Sequence, residues 1–104
     1  MRDPDAPGGD FIHWAMGDLA VRGGARSMFL PAGAVPAGAV QGRNSFGSLG
    51  YRGPCPPAGA SHHYRITVYA LGRPSRLTSG FSADAVARLP VLAKGSLTGL
   101  YRRR

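Results

Sequence analysis

The stretch Pro54-Cys55-Pro56-Pro57, which follows Gly53, presents a single backbone donor on a stiff frame. Its prolines carry no N–H and fix φ, so the Cys55 N–H stands alone between them. A stiff loop loses little entropy on binding, and an isolated donor suits an anion. His62 and Tyr64 follow at i, i+2, on one face of a strand, where an imidazole N–H and a phenol O–H can join that donor. Upstream, Asp3, Asp5 and His13 add carboxylates and a further imidazole. Aspartates beside an anion are reasonable if a carboxylate such as Asp3 holds a histidine as imidazolium, leaving its other N–H for the ligand. The same residues have plainer roles. Asp3 and Asp5 can cap turns through Asx hydrogen bonds. His13 can be a satisfied core or surface histidine, and Trp14 a packing residue. His63 faces away from His62 and reads as a surface residue or structural partner.

Catalysis is not indicated. Cys55 with His62 imitates a nucleophile–base pair, but no orienting or oxyanion-stabilising signature accompanies it. The spacing of Asp3, His13, Cys55 and His62 matches no standard zinc pattern. Neither a G-x-S-x-G elbow nor a phosphate-binding P-loop is present. The expectation is a binding protein without enzymatic activity, metal or cofactor.

These residues need strands to position them. Residues 62–71, HHYRITVYAL, form the clearest strand in the chain. His62, Tyr64, Ile66, Val68 and Ala70 share one face, polar at its start and apolar beyond, as in a core strand whose first end lines a pocket. Residues 11–16, FIHWAM, read as another strand, with Phe11, His13 and Ala15 on one face. Residues 3–10 and 44–61 read as loops, the latter stiffened by its prolines. Met28-Phe29-Leu30 and Ala39-Val40 are short apolar pieces that could pair. Residues 82–94 read as a short helix with Ser82 as N-cap, ended or kinked near Leu89 by Pro90 and followed by Gly95 as a stop signal, and residues 96–101 as a last short strand.

At 104 residues the chain is one domain at most, spanning 1–104. Gly 16 and Pro 9 require many turns, while 43% hydrophobic residues supply material for a core. The net charge of +8 invites a nucleic-acid partner as the alternative function. Yet 12 of the 13 bases are Arg, Glu is absent, and the bases are scattered except at Arg102-Arg103-Arg104, a pattern closer to coding bias than to a binding stripe. The lone Cys55 cannot form an internal disulfide. No run approaches a membrane span and no apolar leader follows Met1, so the expected compartment is the cytoplasm, or the periplasm if a signal peptide lies upstream.

Three ordered segments carry a family resemblance. They are Asp3-Pro4-Asp5-Ala6-Pro7 with His13-Trp14; Asn44-x-Phe46-Gly47 with Gly50-Tyr51-x-Gly53-Pro54-Cys55-Pro56-Pro57-x-Gly59; and His62-His63-Tyr64 opening a strand that ends Tyr69-Ala70-Leu71. Together they resemble the phosphatidylethanolamine-binding protein family, in its bacterial YbhB/YbcL branch, and Gly99-Leu100-Tyr101-Arg102-Arg103 resembles that branch's ending. The resemblance implies a mostly β fold, an antiparallel β-sandwich with a short C-terminal helix, from which the family's N-terminal segment is missing. It implies a pocket at Asp3, Asp5, His13, Gly53, Cys55, Pro56, Pro57, His62 and Tyr64, and a cis peptide at Ala6-Pro7. The implied partner is a small anion such as phosphate or phosphoethanolamine. A protein partner, regulated as by the kinase- or protease-inhibiting relatives, is a further implication, and uncovered strands imply self-association.

Overall fold

The computed structural model describes residues 1–21 and 30–104. Its principal strand is Ser61–Leu71 (β5), where β-branched and aromatic residues suit the pleated surface. It pairs antiparallel with Val91–Arg102 (β6) in a register that sets His62 opposite Tyr101, Tyr64 opposite Gly99 and Ile66 opposite Leu97. Arg2–Asp3 (β1) lies on the other side of β5, and Phe11–Ile12 (β2) pairs with β1, giving the antiparallel order β2-β1-β5-β6. Met16–Gly17 (β3) and Val40–Gln41 (β4) make a second, two-stranded antiparallel sheet. The chain is therefore mostly β, as expected.

The expected strand over 11–16 is divided. The N–H groups of His13 and Trp14 both reach the Met1 carbonyl, at 2.9 and 3.3 Å. Two donors on one acceptor break the ladder as a bulge does. The segment then turns from the first sheet to the second, where Trp14 Nε1 donates to Gln41 Oε1 at 2.9 Å. Of the short apolar pieces, Val40 does pair, whereas Met28 and Phe29 lie outside the described residues.

The expected helix over 82–94 is also shorter than read. Only Ala83–Arg88 coils, as a 3-10 helix, with Ser82 as N-cap as read. Leu89 is already extended (φ −77, ψ 149), the conformation that a following proline imposes. Beyond Pro90 the chain joins β5, so the last strand spans 91–102 and Gly95 is a strand residue opposite Val68 instead of a helix stop. The cis peptide implied at Ala6–Pro7 is likewise absent, since no peptide among the described residues is cis. There the Gly9 N–H closes a turn onto the Ala6 carbonyl at 2.9 Å, with Pro7 in the second position, where trans proline fits.

Burial concentrates at one end of the sheet. Tyr64 and Phe81 are buried, and with them the polar residues Asp3, His13, Asn44 and His62. The face of β5 read as a core face is buried only at His62 and Tyr64. Further along, Val68 is 67% and, across the pair, Leu97 72% exposed, because no element among those described packs over that half of the hairpin. Phe81 fills the space beside the second sheet. A Cβ added at Gly42 would lie 2.9 Å from both the Ala15 Cβ and the Phe81 ring, so Gly42→Ala is expected to lower stability by roughly 1–3 kcal/mol through overpacking. A urea midpoint equal to wild type would contradict this.

Candidate functional site

The buried end of the sheet opens into a pocket of ≈ 310 Å³. Its floor is Asp3 on β1 and His62 on β5. The strand pairing places them side by side, with His62 Nδ1 2.7 Å from Asp3 Oδ2. Both are almost wholly buried, at 3% and 6% exposure. Asp3 Oδ1 accepts the Asp5 N–H at 2.9 Å, an Asx turn that starts the loop above the pocket. With His62 Nδ1–H donated to the carboxylate, Nε2 is the ring nitrogen left for a ligand.

His13 follows the same logic. Its Nδ1 lies 2.8 Å from the Arg52 carbonyl, which can only accept, so Nδ1 carries the proton and Nε2 is left over. Phe11 and Phe46 wall the pocket beside it. The Phe11 ring is 4.9 Å from Phe46 and 5.2 Å from His13, and Phe46 meets His13 edge-on at 5.4 Å. Asn44 positions Phe46. Buried, it accepts the Phe46 and Ser48 N–H groups on Oδ1 and donates Nδ2 to the Gly50 carbonyl at 3.0 Å. The Arg52 guanidinium lies 4.8 Å from the Phe46 ring centre.

The proline-rich loop forms the remaining wall. Pro56 is fully buried, whereas Cys55 is exposed to the pocket beside Pro57. The loop closes on a turn in which the Ala60 N–H reaches the Pro57 carbonyl at 3.2 Å, and Gly59 takes the positive φ (+81) this requires. Among the described residues the Cys55 N–H meets no backbone acceptor.

Six of the anticipated residues thus meet at one cavity: Asp3, His13, Cys55, Pro56, Pro57 and His62. Three do not line it. Asp5 turns to the other face of β5, where Oδ2 takes the His63 N–H at 2.8 Å and the His63 Nδ1 at 2.7 Å. These contacts, the backbone one foremost, hold the Asp5 carboxyl below the usual carboxylate range. Alternation explains the outcome, since His63 faces opposite to His62 and recruits the carboxylate that follows Asp3 by two positions. Gly53 is exposed beside Tyr51. Tyr64 lies behind the wall, its ring 5.3 Å from His13. Conversely, Phe11, Phe46, Pro7 and Arg103 line the pocket without having been anticipated there. Phe11 was legible, because it shares a strand face with His13. Arg103 was not, because only the β5–β6 register carries it to the site.

The Tyr64 hydroxyl has no hydrogen-bond partner among the described residues. Burial, with the Asp3 carboxylate nearby, pushes its phenol up to about 12. A folded value above the unfolded one (about 10) means a contribution to stability that is complete below pH ~10 and lost as pH rises through the folded value. Of the four tyrosines, one is expected to ionise only with alkaline unfolding, and Tyr64→Phe to shift that unfolding to higher pH. Absorbance at 295 nm reads both, and a Tyr64→Phe titration identical to wild type would contradict the assignment.

Comparison with known proteins agrees with the fold. A family model described as phosphatidylethanolamine-binding protein matches residues 1–102. A UPF0098 protein of Methanothermobacter thermautotrophicus is 42% identical over 97% of this chain and 69% of its own length. The UPF0098 protein PH1269 of Pyrococcus horikoshii is 40% identical over 98% of this chain and 54% of its own. The crystal structure of E. coli YbcL, described as a new member of the mammalian PEBP family, superposes with a TM-score of 0.80 at 33% identity, covering 99% of this chain and 68% of that one. The chain thus spans between 54% and 69% of the length of these relatives.

Proposed function

From the premise that this chain belongs to the phosphatidylethanolamine-binding protein family, we propose that its pocket reversibly binds small phosphate-type anions, phosphate and phosphoethanolamine among them, and performs no chemistry on them. The observation that carries this reading is the buried Asp3–His62 pair beneath the proline-rich loop. The carboxylate fixes the imidazole, and Nε2 donates to a phosphate oxygen when protonated. The Cys55 N–H supplies a second donor on a frame that loses little freedom on binding. A cavity of ≈ 310 Å³ is at the small end of ligand sites and suits a head group better than a larger molecule. Non-catalytic function is supported by Cys55, whose polar contact is Arg103 Nη1 at 3.8 Å and not a general base, while both pocket histidines commit Nδ1 elsewhere.

The test is calorimetric titration with phosphoethanolamine at fixed ionic strength. His62→Ala is expected to weaken binding at least about tenfold, the usual worth of a charged hydrogen bond. Equal affinity of wild type and variant would refute the site. Binding of duplex DNA or RNA with a steep salt dependence, and none of phosphoethanolamine, would favour the nucleic-acid alternative.

A further inference from the structure

We infer that Arg103 sets the specificity of this pocket, selecting phosphomonoester dianions over phosphodiesters; the inference rests on the anion-binding reading above. The terminal run Arg102-Arg103-Arg104 does not act as a block. Tyr101 pairs with His62 and Arg102 with Ser61, so Arg102 faces away from the His62 side while the next residue, Arg103, returns to it, and neither Arg102 nor Arg104 lines the pocket. Arg103 alone of the run lines the pocket, and its Nη1 is 3.8 Å from Cys55 Sγ. The Gly59 N–H donates to its carbonyl at 2.9 Å, which joins the end of β6 to the proline-rich loop. Among the described residues its guanidinium pairs with no carboxylate, since the salt bridges are made by Arg2, His62 and His63.

The charge balance gives this residue its effect. Asp3 contributes a negative charge to the floor, and His62 at most offsets it. A dianion entering such a site needs a permanent cation, and arginine is always protonated. The geometry adds selectivity. The guanidinium fork engages two terminal oxygens at once, and His62 Nε2 with the Cys55 N–H engages a third. A phosphomonoester offers three terminal oxygens and a second negative charge. A phosphodiester, the form in which a head group is joined in an intact phospholipid, offers two terminal oxygens, one charge and a substituent where the third oxygen would sit. The pocket therefore favours the free phosphorylated head group over the same group within a lipid.

Phosphoethanolamine and glycerophosphoethanolamine differ in this respect alone at the phosphorus. Calorimetry at constant ionic strength compares them on wild type, Arg103→Gln, Arg103→Lys and Arg104→Gln, the last removing an equal charge from a residue that does not line the pocket. Wild type is expected to prefer the monoester at least about tenfold. Arg103→Gln should erase the preference by weakening the monoester, Arg103→Lys should restore part of it, and Arg104→Gln should retain it. Arg103 is exposed, so its replacement leaves folding intact, which thermal melting verifies. Equal wild-type affinity for the two compounds, or equal losses in Arg103→Gln and Arg104→Gln, would overturn this inference and leave the anion-binding reading standing. Failure of wild type to bind either compound would overturn that reading, and this inference with it.

Discussion

Asp3→Ala is expected to lower the stability of the fold by about 3 kcal/mol, where the cost of orphaning buried donors and that of breaking a buried ion pair overlap. Asp3 is 3% exposed and its two oxygens have separate duties, Oδ2 on His62 Nδ1 and Oδ1 on the Asp5 N–H. Alanine removes both acceptors and leaves the imidazole facing an apolar wall of Pro56 and Phe11. Few contacts stand by to absorb the loss, because Tyr64 and Phe81 are the buried hydrophobic residues among those described. Domains of this size have about 5–15 kcal/mol in all, so the variant should melt at a clearly lower temperature and bind no phosphoethanolamine. Asp3→Asn keeps an acceptor for His62 and should lose less. A double-mutant cycle with His62→Ala identifies the cause. The pair acts as a unit if the two losses are strongly non-additive, whereas additivity within about 0.5 kcal/mol would show that Asp3 acts independently of His62.

Self-association that strengthens with salt is the second expected result. Among the described residues the sheet ends at β6, whose outer edge leaves N–H and C=O groups unpaired, an arrangement that templates pairing with another strand. The hairpin face beside it is apolar and open. Ile66 pairs with Leu97 and Val68 with Gly95 on one surface, with Val68 67% and Leu97 72% exposed. The net charge of +8 keeps copies apart at low ionic strength. Screening shortens from about 30 Å at 0.01 M salt to about 3 Å at 1 M, and the opposition fades. Sedimentation velocity should show a monomer in dilute buffer and larger species in concentrated salt. Leu97→Lys sets a charge in the middle of the open face and should restore the monomer at high salt, without loss of stability, since so exposed a leucine contributes little packing. A monomer at every salt concentration would show that the edge is inert.

The pocket was legible where short-range rules sufficed. The isolated Cys55 donor follows from which residues lack an N–H, and His62 from strand alternation in a segment with few alternatives. That a carboxylate such as Asp3 holds a histidine follows from the need of a carboxylate near an anion to have some other duty. In the same way Ser82 and Pro90 mark the limits of the 3-10 helix.

What failed was decided at a distance. Residues 91–95 carry apolar and small side chains compatible with helix or strand, and the open edge of β5 chose strand. Two carboxylates separated by one residue look equivalent in sequence, yet Asp3 ends β1 and meets His62, whereas Asp5 lies in the turn beyond it and meets His63. Tyr64 shares a strand face with His62 but lies one step deeper, so it packs behind the pocket instead of lining it. Arg103 belongs to a basic run that, read locally, is only charge. The sequence by itself determined the donors, the stiff loop and the main strand, because backbone chemistry and period-two alternation act between near neighbours. Only the tertiary structure decided which carboxylate meets which histidine and which arginine enters the pocket, because those depend on a strand register set across some forty residues of chain, from His62 to Tyr101.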